Sequence, residues 1–210
     1  MSMIKAVAFD WGGVLNDYTQ HTYRLAQHLG LSLDMFQKAV KNHVKDFHLG
    51  LDEMEFWRRV CQEKVCQDAG VKVPSAPFWR EAFDATVVIN DELFSVVKVL
   101  RERGYKTLMI SNTELPNKDY IEERIKNTRY DVFDVYILSC DPDVKEVKPN
   151  PGIYQIPLEI LGIKPQEMVL VDDREINING LKKLGIHGIL HESNNKTIKE
   201  LSDLLGINLS

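Results

Sequence analysis

Four short apolar runs constrain the fold of this chain more than any other feature of its sequence. They cover residues 4–9, 106–110, 135–138 and 168–171, are rich in β-branched residues, and end at polar or small residues. A weaker fifth run lies at 187–190. Continuous apolar runs of this length are typical of strands that are buried on both faces of a parallel sheet.

Helical patterns lie between these runs. They cover residues 92–103, 119–127, 151–161 and 176–184. All but the second are followed at once by glycine, the residue that most often ends a helix. Because strands that alternate with helices form a parallel sheet covered on both faces, the predicted fold class is α/β, a doubly wound parallel sheet.

Residues 16–90 break this alternation, because they contain helical patterns and no good strand. The helical patterns cover 23–29, 33–47 and 54–67. Aromatic residues supply a separate hydrophobic core, namely Phe36, Phe47, Phe56, Trp57, Phe78 and Trp79. We therefore expect an all-helical domain at 16–90, inserted into an α/β core domain made of residues 1–15 and 91–210.

Composition excludes several classes of protein. The chain is 44% hydrophobic, has a formal net charge of −5 and contains no block of Lys and Arg, so nucleic acid is not an expected partner. Cys61, Cys66 and Cys140 lack zinc-binding spacing and are expected to be buried thiols. No run approaches the ~18 apolar residues of a membrane span, and the first run is too short for a signal peptide. We expect a cytoplasmic protein that contacts no membrane, and its oligomeric state stays open.

Polar side chains follow three of the predicted strands. Asp10 follows the first, Ser111 and Asn112 the second, and Asp172 and Asp173 the fourth. In open parallel sheets the carboxyl ends of the strands form the ligand site, so these side chains are expected to converge. Three carboxylates in one crevice repel each other unless a hard divalent cation joins them, and oxygen ligands suit Mg²⁺.

A lysine near these carboxylates would offset part of their charge. Lys148 precedes Pro149 in the loop before the helical pattern at 151–161, and Lys145 lies three residues earlier. Because Lys148 lies beside Pro149, we expect Lys148 rather than Lys145 to be the lysine near the carboxylates.

Four of these segments together resemble the motifs of the haloacid dehalogenase superfamily. Residues 9–15, which read Phe-Asp-Trp-Gly-Gly-Val-Leu, are similar to its first motif, and Ile110-Ser111-Asn112 to its second. Lys148-Pro149 is similar to the third, and Val171-Asp172-Asp173 with Asn177 to the fourth. The motifs occur in the order of the superfamily, and the insert at 16–90 lies where the superfamily places its helical cap.

The resemblance implies a phosphatase-type hydrolase that acts on a small phosphorylated metabolite. Asp10 would attack phosphorus and form an aspartyl-phosphate. Mg²⁺ would be held by Asp10, the Gly12 carbonyl and Asp173, with Asp172 close by as a further metal residue that holds a bound water.

The other motif residues would bind phosphate or support the site. Ser111 and Lys148 would donate to the phosphoryl oxygens, and Asn112 would add an amide donor. Asn177 would orient the loop that carries the two aspartates.

One departure from the superfamily pattern bears on the reaction. Most phosphatases of this superfamily carry a second Asp two residues after the nucleophile, as general acid and base, and this chain has Gly12 there. The chain resembles the sugar-phosphate branch, in which Gly also occurs and whose cap is similar to residues 48–51 and 56–57, so a sugar phosphate or another ester with a good leaving group is favoured. Two alternatives stay open: a weak or non-catalytic protein that binds a phosphorylated ligand or a protein partner, and a 2-haloacid dehalogenase.

Three residues near the first motif have no firm assignment. Asp17 and His21 are expected either at the mouth of the site or on the plain surface, and they are the first candidates for the missing acid–base role. Trp11 is expected to pack under the cap or to face the substrate.

Overall fold

The computed structural model describes residues 3–209, which are built around a five-stranded parallel sheet. In chain order the strands of this part of the chain are β1 (Ala6–Phe9), β2 (Asn16–Asp17), β3 (Val88–Ile89), β4 (Lys106–Ser111), β5 (Val135–Leu138), β6 (Met168–Asp172) and β7 (His187–Leu190). The central sheet has the order β5-β4-β1-β6-β7, and every pair in it is parallel. The five apolar runs are therefore the five strands, and the predicted α/β class is confirmed.

Helices cover both faces of this sheet. Those of the α/β part are α7 (Asp91–Glu102), α8 (Leu115–Tyr120), α9 (Pro151–Leu161), α10 (Glu175–Leu184) and α11 (Asn194–Leu205). Side chains alternate along β1, so Val7 and Phe9 pack in the hydrophobic cluster that includes α7 and α11. Ala6 and Ala8 pack in the cluster on the other face, which includes α9 and α10.

The observed helices differ from the predicted ones in two places. The helix predicted at 119–127 begins earlier, at Leu115. Pro116 lies in its first turn, where backbone N–H groups have no partner within the helix, so the N–H that proline lacks costs no hydrogen bond. The chain then continues as a π-helical turn at Ile121–Ile125. Helix α11 was not predicted, although Ser193 accepts a hydrogen bond from the Lys196 N–H at its beginning and Gly206 ends it.

The insert contains the remaining helices of the described chain. They are α1 (Thr19–His28), α2 (Leu33–Val40), α3 (Val44–His48), α4 (Glu53–Gln62), α5 (Lys64–Asp68) and α6 (Trp79–Asp84). The pattern at 33–47 is two helices, and the pattern at 54–67 is interrupted at Glu63, whose backbone is extended. Helix α6 lies in a segment for which no helix was predicted.

A short antiparallel pair joins the two ends of the insert. Asn16 in β2 pairs with Ile89 in β3. The prediction of a strand-free insert is therefore wrong at both ends, because two-residue strands are too short to leave a periodic pattern in the sequence. Between them, residues 18–87 contain no assigned strand.

The insert has its own hydrophobic cluster, as the aromatic residues predict. All six of those aromatic side chains are buried in it, and the rings of Phe47 and Phe56 stack with centroids 4.2 Å apart. One carboxylate holds the ends of two helices together, because Glu53 Oε1 accepts from Trp57 Nε1 at 2.9 Å and from the backbone N–H groups of Phe78 and Trp79 at 2.7 and 2.8 Å.

The cysteines and the helix lengths were also predicted from the sequence. Cys61, Cys66 and Cys140 are free and buried, as predicted. Within residues 3–209, no helix has both the length and the apolar character needed to cross a membrane.

Candidate active site

A tight loop directly after β1 presents Asp10 at the carboxyl end of the sheet. The Asp10 N–H donates to Val171 O in β6 at 2.9 Å, so the chain is still paired where the strand ends. The carbonyl of Trp11 then accepts from the N–H groups of Leu15 and Asn16, and from Asn16 Nδ2 at 2.9 Å. These bonds fold residues 11–16 back on themselves, and the Trp11 N–H donates to Asp10 Oδ1 at 2.7 Å.

Lys148 lies between two aspartates at the floor of the site. Its Nζ is 2.7 Å from Asp10 Oδ2 and 2.6 Å from Asp172 Oδ2, and its side chain is almost fully buried. Burial would lower the pKa of Lys148, but these two carboxylates outweigh it and raise that pKa. Lys145 is outside the site, since its Nζ donates to Leu49 O at 2.5 Å.

Asp172 is held on every side by the α/β core. Besides Lys148, its carboxylate accepts from the Arg174 N–H and from Asn177 Nδ2, both at 2.9 Å to Oδ1. Asn177 therefore orients the loop after β6 through Asp172 rather than through Asp173.

Asp173 is half-buried and lies against the loop after β1. A Cβ at Gly13, which has φ +77°, would lie 2.4 Å from Asp173 Oδ2. Glycine is required here both by the left-handed backbone and by this close approach.

The three aspartates form one carboxylate cluster. Asp10, Asp172 and Asp173 each offer a ligand oxygen, and these oxygens lie within 4.8 Å of one another. Burial raises the pKa of Asp10 to about 7. The Lys148 ammonium lowers this pKa in part, and the Asp172 carboxylate raises it further. Burial also raises the pKa of Asp173. Oxygen ligands that repel each other at this spacing fit a hard divalent cation.

Ser111 and Asn112, at the end of β4, take different positions. Ser111 is buried, and its hydroxyl lies near enough to Asp10 to lower the pKa of that carboxyl, against the rise caused by burial. Asn112 turns toward the backbone of Lys148, donating from Nδ2 to Lys148 O at 3.0 Å and accepting from the Lys148 N–H at 2.7 Å. Its amide thus positions the lysine, which the sequence pattern did not reveal.

A cavity of about 280 Å³ lies between these strand ends and the helices of the insert. His21 lines it, and burial lowers the pKa of this imidazole to about 4. Asp17 does not line it; this carboxylate is exposed and accepts a hydrogen bond from the N–H of Thr19, the first residue of α1, at 2.8 Å. Trp11 is buried between Phe83 and Tyr120 and also lines the cavity.

Sequence reasoning missed several residues that line the same cavity. The ring of Tyr18 lies against Gly12, where a Cβ would be 3.1 Å from its Cε1 atom. Arg174 also lines the cavity, beside the carboxylate cluster. The position of Arg174 directly after the two aspartates was the available signal, whereas nothing in the sequence indicates how Tyr18 packs.

Glu114 and His48 meet where the insert contacts the core. Glu114 Oε1 accepts from Trp79 Nε1 at 2.7 Å, and its Oε2 lies 3.6 Å from His48 Nε2. Burial raises the pKa of Glu114 to about 7 and lowers that of His48 to about 4. A neutral imidazole therefore faces a carboxyl that is partly protonated at neutral pH.

The doubly wound sheet carries an aspartate cluster and a buried lysine at its strand ends. This arrangement is typical of α/β hydrolases whose active site offers carboxylate ligands. The sequence profile of the haloacid dehalogenase-like hydrolases matches residues 4–206. The chain belongs to this family, as the motifs predict.

Known relatives and solved structures resemble most of the chain. Bifunctional epoxide hydrolase 2 of Sus scrofa is 26% identical over 98% of this chain, which spans 40% of the length of that protein. The phosphorylated carbohydrates phosphatase of Thermotoga maritima is 24% identical, with 91% of this chain and 88% of that protein covered. A HAD-family enzyme of Bacteroides thetaiotaomicron, solved with magnesium and inorganic phosphate, has a TM-score of 0.70 and 24% identity over 91% of this chain and 96% of that one.

The buried carboxyl of Glu114 gives a testable pH dependence of stability. Its pKa rises from an ordinary 4.5 to about 7 on folding, so between these pH values the unfolded chain loses this proton while the folded chain keeps it. Stability contributed by this group is thus present below pH 4.5 and is lost as the pH rises to 7. Glu114→Gln should gain stability relative to the native chain between pH 4.5 and 8, by on the order of 3 kcal/mol.

Urea unfolding of the native chain and of the Glu114→Gln variant, at pH 4.5 and at pH 8, measures this difference in the free energy of unfolding. The exposed Glu102→Gln variant is the control and should differ from the native chain equally at both. The same difference for Glu114→Gln at both pH values would mean that this carboxyl is ionised in the folded protein.

Proposed function

We propose that this chain is a Mg²⁺-dependent phosphatase-type hydrolase that acts on a small phosphorylated metabolite through an aspartyl-phosphate on Asp10. The observation that carries the proposal is the buried Lys148 ammonium, 2.7 Å from Asp10 and 2.6 Å from Asp172, at the floor of the cavity. A phosphoryl group carries negative oxygens that this ammonium can contact, and a carboxylate beside it can reach the phosphorus.

The reaction has two steps that balance in atoms and charge. A carboxylate oxygen of Asp10 bonds to phosphorus while the bond from phosphorus to the leaving oxygen breaks, and that oxygen takes up a proton. Water then attacks the aspartyl-phosphate, which releases phosphate and a proton and restores the Asp10 carboxylate. The Ser111 hydroxyl and Lys148 Nζ donate to the phosphoryl oxygens in both steps, and Asn112 holds the Lys148 backbone in place.

The donor set fits a magnesium ion. Asp10, the Gly12 carbonyl and Asp173 would hold it, and when bound it would neutralise charge that develops on the phosphoryl oxygens. Asp172 is predicted from the sequence as a fourth metal residue, and it contributes an oxygen to the carboxylate cluster. We propose that Asp172 also positions Lys148, whose Nζ lies 2.6 Å from its Oδ2.

The relatives support the phosphatase class and a small substrate. The enzyme from Bacteroides thetaiotaomicron binds magnesium and phosphate on a similar fold, and the relative from Thermotoga maritima is a phosphatase of phosphorylated carbohydrates. We extend this to a small phosphorylated metabolite such as a sugar phosphate, with residues 1–15 and 91–210 as the catalytic core domain and 16–90 as a cap domain.

Gly12 limits the leaving groups that this site handles well. Glycine has no side-chain proton to give, and loss of a general acid or base typically lowers a rate ~10²- to 10⁴-fold. Asp17 is outside the cavity and cannot take over this role. Esters and acyl phosphates whose leaving oxygen needs little protonation are therefore the favoured substrates.

The function is tested by phosphate release from a panel of sugar phosphates, nucleotides and acyl phosphates. We expect hydrolysis that EDTA abolishes and that Asp10→Asn lowers by ~10³-fold or more. Asp17→Asn, which changes an exposed aspartate outside the cavity, is the matched control and should keep full activity.

Two other outcomes would replace the proposal. Halide release from 2-haloacids in the presence of EDTA would identify a dehalogenase. Specific binding of a phosphorylated ligand or a protein with no hydrolysis of any ester would identify a non-catalytic member of the family.

The metal site is tested with two glycines that share a left-handed backbone. Gly13 has φ +77° and a Cβ there would meet Asp173 Oδ2, whereas Gly30 has φ +68° with nothing within 4 Å. Both alanine variants should lose about 1–2 kcal/mol of stability. Only Gly13→Ala should weaken Mg²⁺ binding in calorimetry, and Asp173→Ala should remove it; equal Mg²⁺ affinity in all three variants would contradict the site.

The ring of Tyr18 occupies space that a side chain at position 12 would need. A Cβ at Gly12 would lie 3.1 and 3.2 Å from two ring carbons of Tyr18, so Gly12→Asp alone must displace this ring. We expect little gain from the single variant. Gly12→Asp combined with Tyr18→Ser should hydrolyse esters with poor leaving groups faster, by up to ~10²-fold.

Steady-state rates with alkyl phosphates measure this gain, and Tyr18→Ser alone is the control. Equal rates for the Gly12→Asp variant and for the double variant would show that Tyr18 does not exclude the acid–base group.

A further inference from the structure

The ring of Tyr18 lies where an acid–base side chain at position 12 would begin. A Cβ at Gly12 would be 3.1 Å from Cε1, 3.2 Å from Cδ1 and 4.0 Å from Cζ of this ring. The phenol oxygen is bonded to Cζ, so it lies at most one carbon–oxygen bond further from that Cβ than Cζ does. Tyr18 therefore brings a hydroxyl group to the part of the site in which Gly12 has no side chain.

The Tyr18 hydroxyl lies near the carboxylate cluster. Tyr18 lines the same cavity as Asp10 and Asp173. Burial raises the pKa of Tyr18, and the carboxylates of Asp173 and Asp10 raise it further, whereas the Arg174 guanidinium lowers it. Charges act in this way only over short distances, so the phenol oxygen is close to the aspartate that would attack phosphorus. The same effects keep the hydroxyl protonated at neutral pH.

The fold does not use this hydroxyl. Within residues 3–209, the hydrogen bonds of Tyr18 are those of its backbone carbonyl, which accepts from the N–H groups of His21 and Thr22, and the hydroxyl has no partner in this part of the chain. Tyr18 is 40% exposed and lines the cavity, so a ligand can reach it. An unpaired phenol beside a cavity is free to donate to a bound molecule.

The backbone on both sides of Tyr18 is held in place. Asp17 pairs with Val88 of β3, and its carboxylate accepts from the Thr19 N–H at 2.8 Å. Tyr18 thus lies at a fixed junction between β2 and α1. This junction keeps the ring over Gly12.

Outside the carboxylate cluster and Lys148, the other titratable groups that line the cavity within residues 3–209 are less suited to give a proton there. Burial lowers the pKa of His21 and of His48 to about 4, so at neutral pH both imidazoles have already lost their acidic proton. Glu114 is buried where the insert contacts the core, and its carboxyl already accepts an indole N–H. Arg174 holds its proton too tightly to transfer it, since the pKa of arginine is above ~12.

We propose that the Tyr18 hydroxyl takes the place of the missing aspartate and gives its proton to the leaving oxygen of the substrate. The inference rests on the proposed function, since it names a further catalytic residue for the same reaction.

The proton balances over the two steps. As the bond from phosphorus to the leaving oxygen breaks, the phenol proton passes to that oxygen, and Tyr18 becomes a phenolate. In the second step the phenolate takes a proton from the attacking water, whose oxygen bonds to phosphorus while the bond from phosphorus to the Asp10 oxygen breaks. The phenol and the carboxylate are then both restored.

Tyr18 is a weaker acid than the aspartate it replaces. A phenol differs from a carboxylic acid by about six pKa units, so proton transfer to the leaving oxygen is less effective and good leaving groups stay favoured. The same difference makes the phenolate a stronger base toward water in the second step.

The test compares Tyr18→Phe with the native chain on acetyl phosphate, phenyl phosphate and n-propyl phosphate, whose leaving groups range from good to poor. We expect kcat/KM to fall by about 10²-fold for n-propyl phosphate and by progressively less for phenyl phosphate and acetyl phosphate, because a good leaving oxygen needs little protonation. With acetyl phosphate, kcat should fall more than kcat/KM, because the second step loses its base.

Tyr23→Phe is the matched control. Tyr23 lies on α1, is 45% exposed and does not line the cavity, so its variant should keep the native rates on all three esters. Both variants should keep the native Tm and Mg²⁺ affinity, because Phe preserves the ring. Tyr18→Ser should lose n-propyl phosphate hydrolysis as Tyr18→Phe does, and Gly12→Asp in the Tyr18→Ser chain should restore it.

Two results would overturn the inference. An equal loss of kcat/KM on all three esters would mean that Tyr18 only shapes the site. Native kinetics in Tyr18→Phe would mean that the proton comes from another source. A native chain that hydrolyses none of the three esters would instead overturn the proposed function, and the inference with it.

Discussion

The buried ammonium of Lys148 is the contact on which the rest of the site depends. Removing one partner from a buried ion pair typically costs about 3–5 kcal/mol, because the remaining charge is left in a medium of low dielectric constant. Lys148 therefore has to be held in place, and Asn112 holds its backbone while Asp172 holds its side chain. Asp172 in turn is fixed by Asn177, so β4, β6 and α10 all converge on one charged group.

The central sheet could be predicted from the sequence because its three middle strands, β4, β1 and β6, are buried on both faces. Each of them is a largely apolar run, and the glycines after three helices mark where the chain turns back to the sheet. The pair of β2 and β3 could not be predicted, because strands of two residues each are too short to show an alternating pattern in the sequence. Their pairing also depends on where the last residues of the insert come back to the core. The division at Glu63 was equally hidden, since only its extended backbone separates α4 from α5.

The charged half of the site could be predicted because strand ends place side chains without help from the insert. Asp10, Ser111 and Asp173 follow directly from the sheet, and Lys148 from its position before a helix. The roles of Asn112 and Tyr18 could not be read from the sequence. Asn112 turns to a backbone 36 residues away, and Tyr18 packs on Gly12 only because the first loop folds back toward the core.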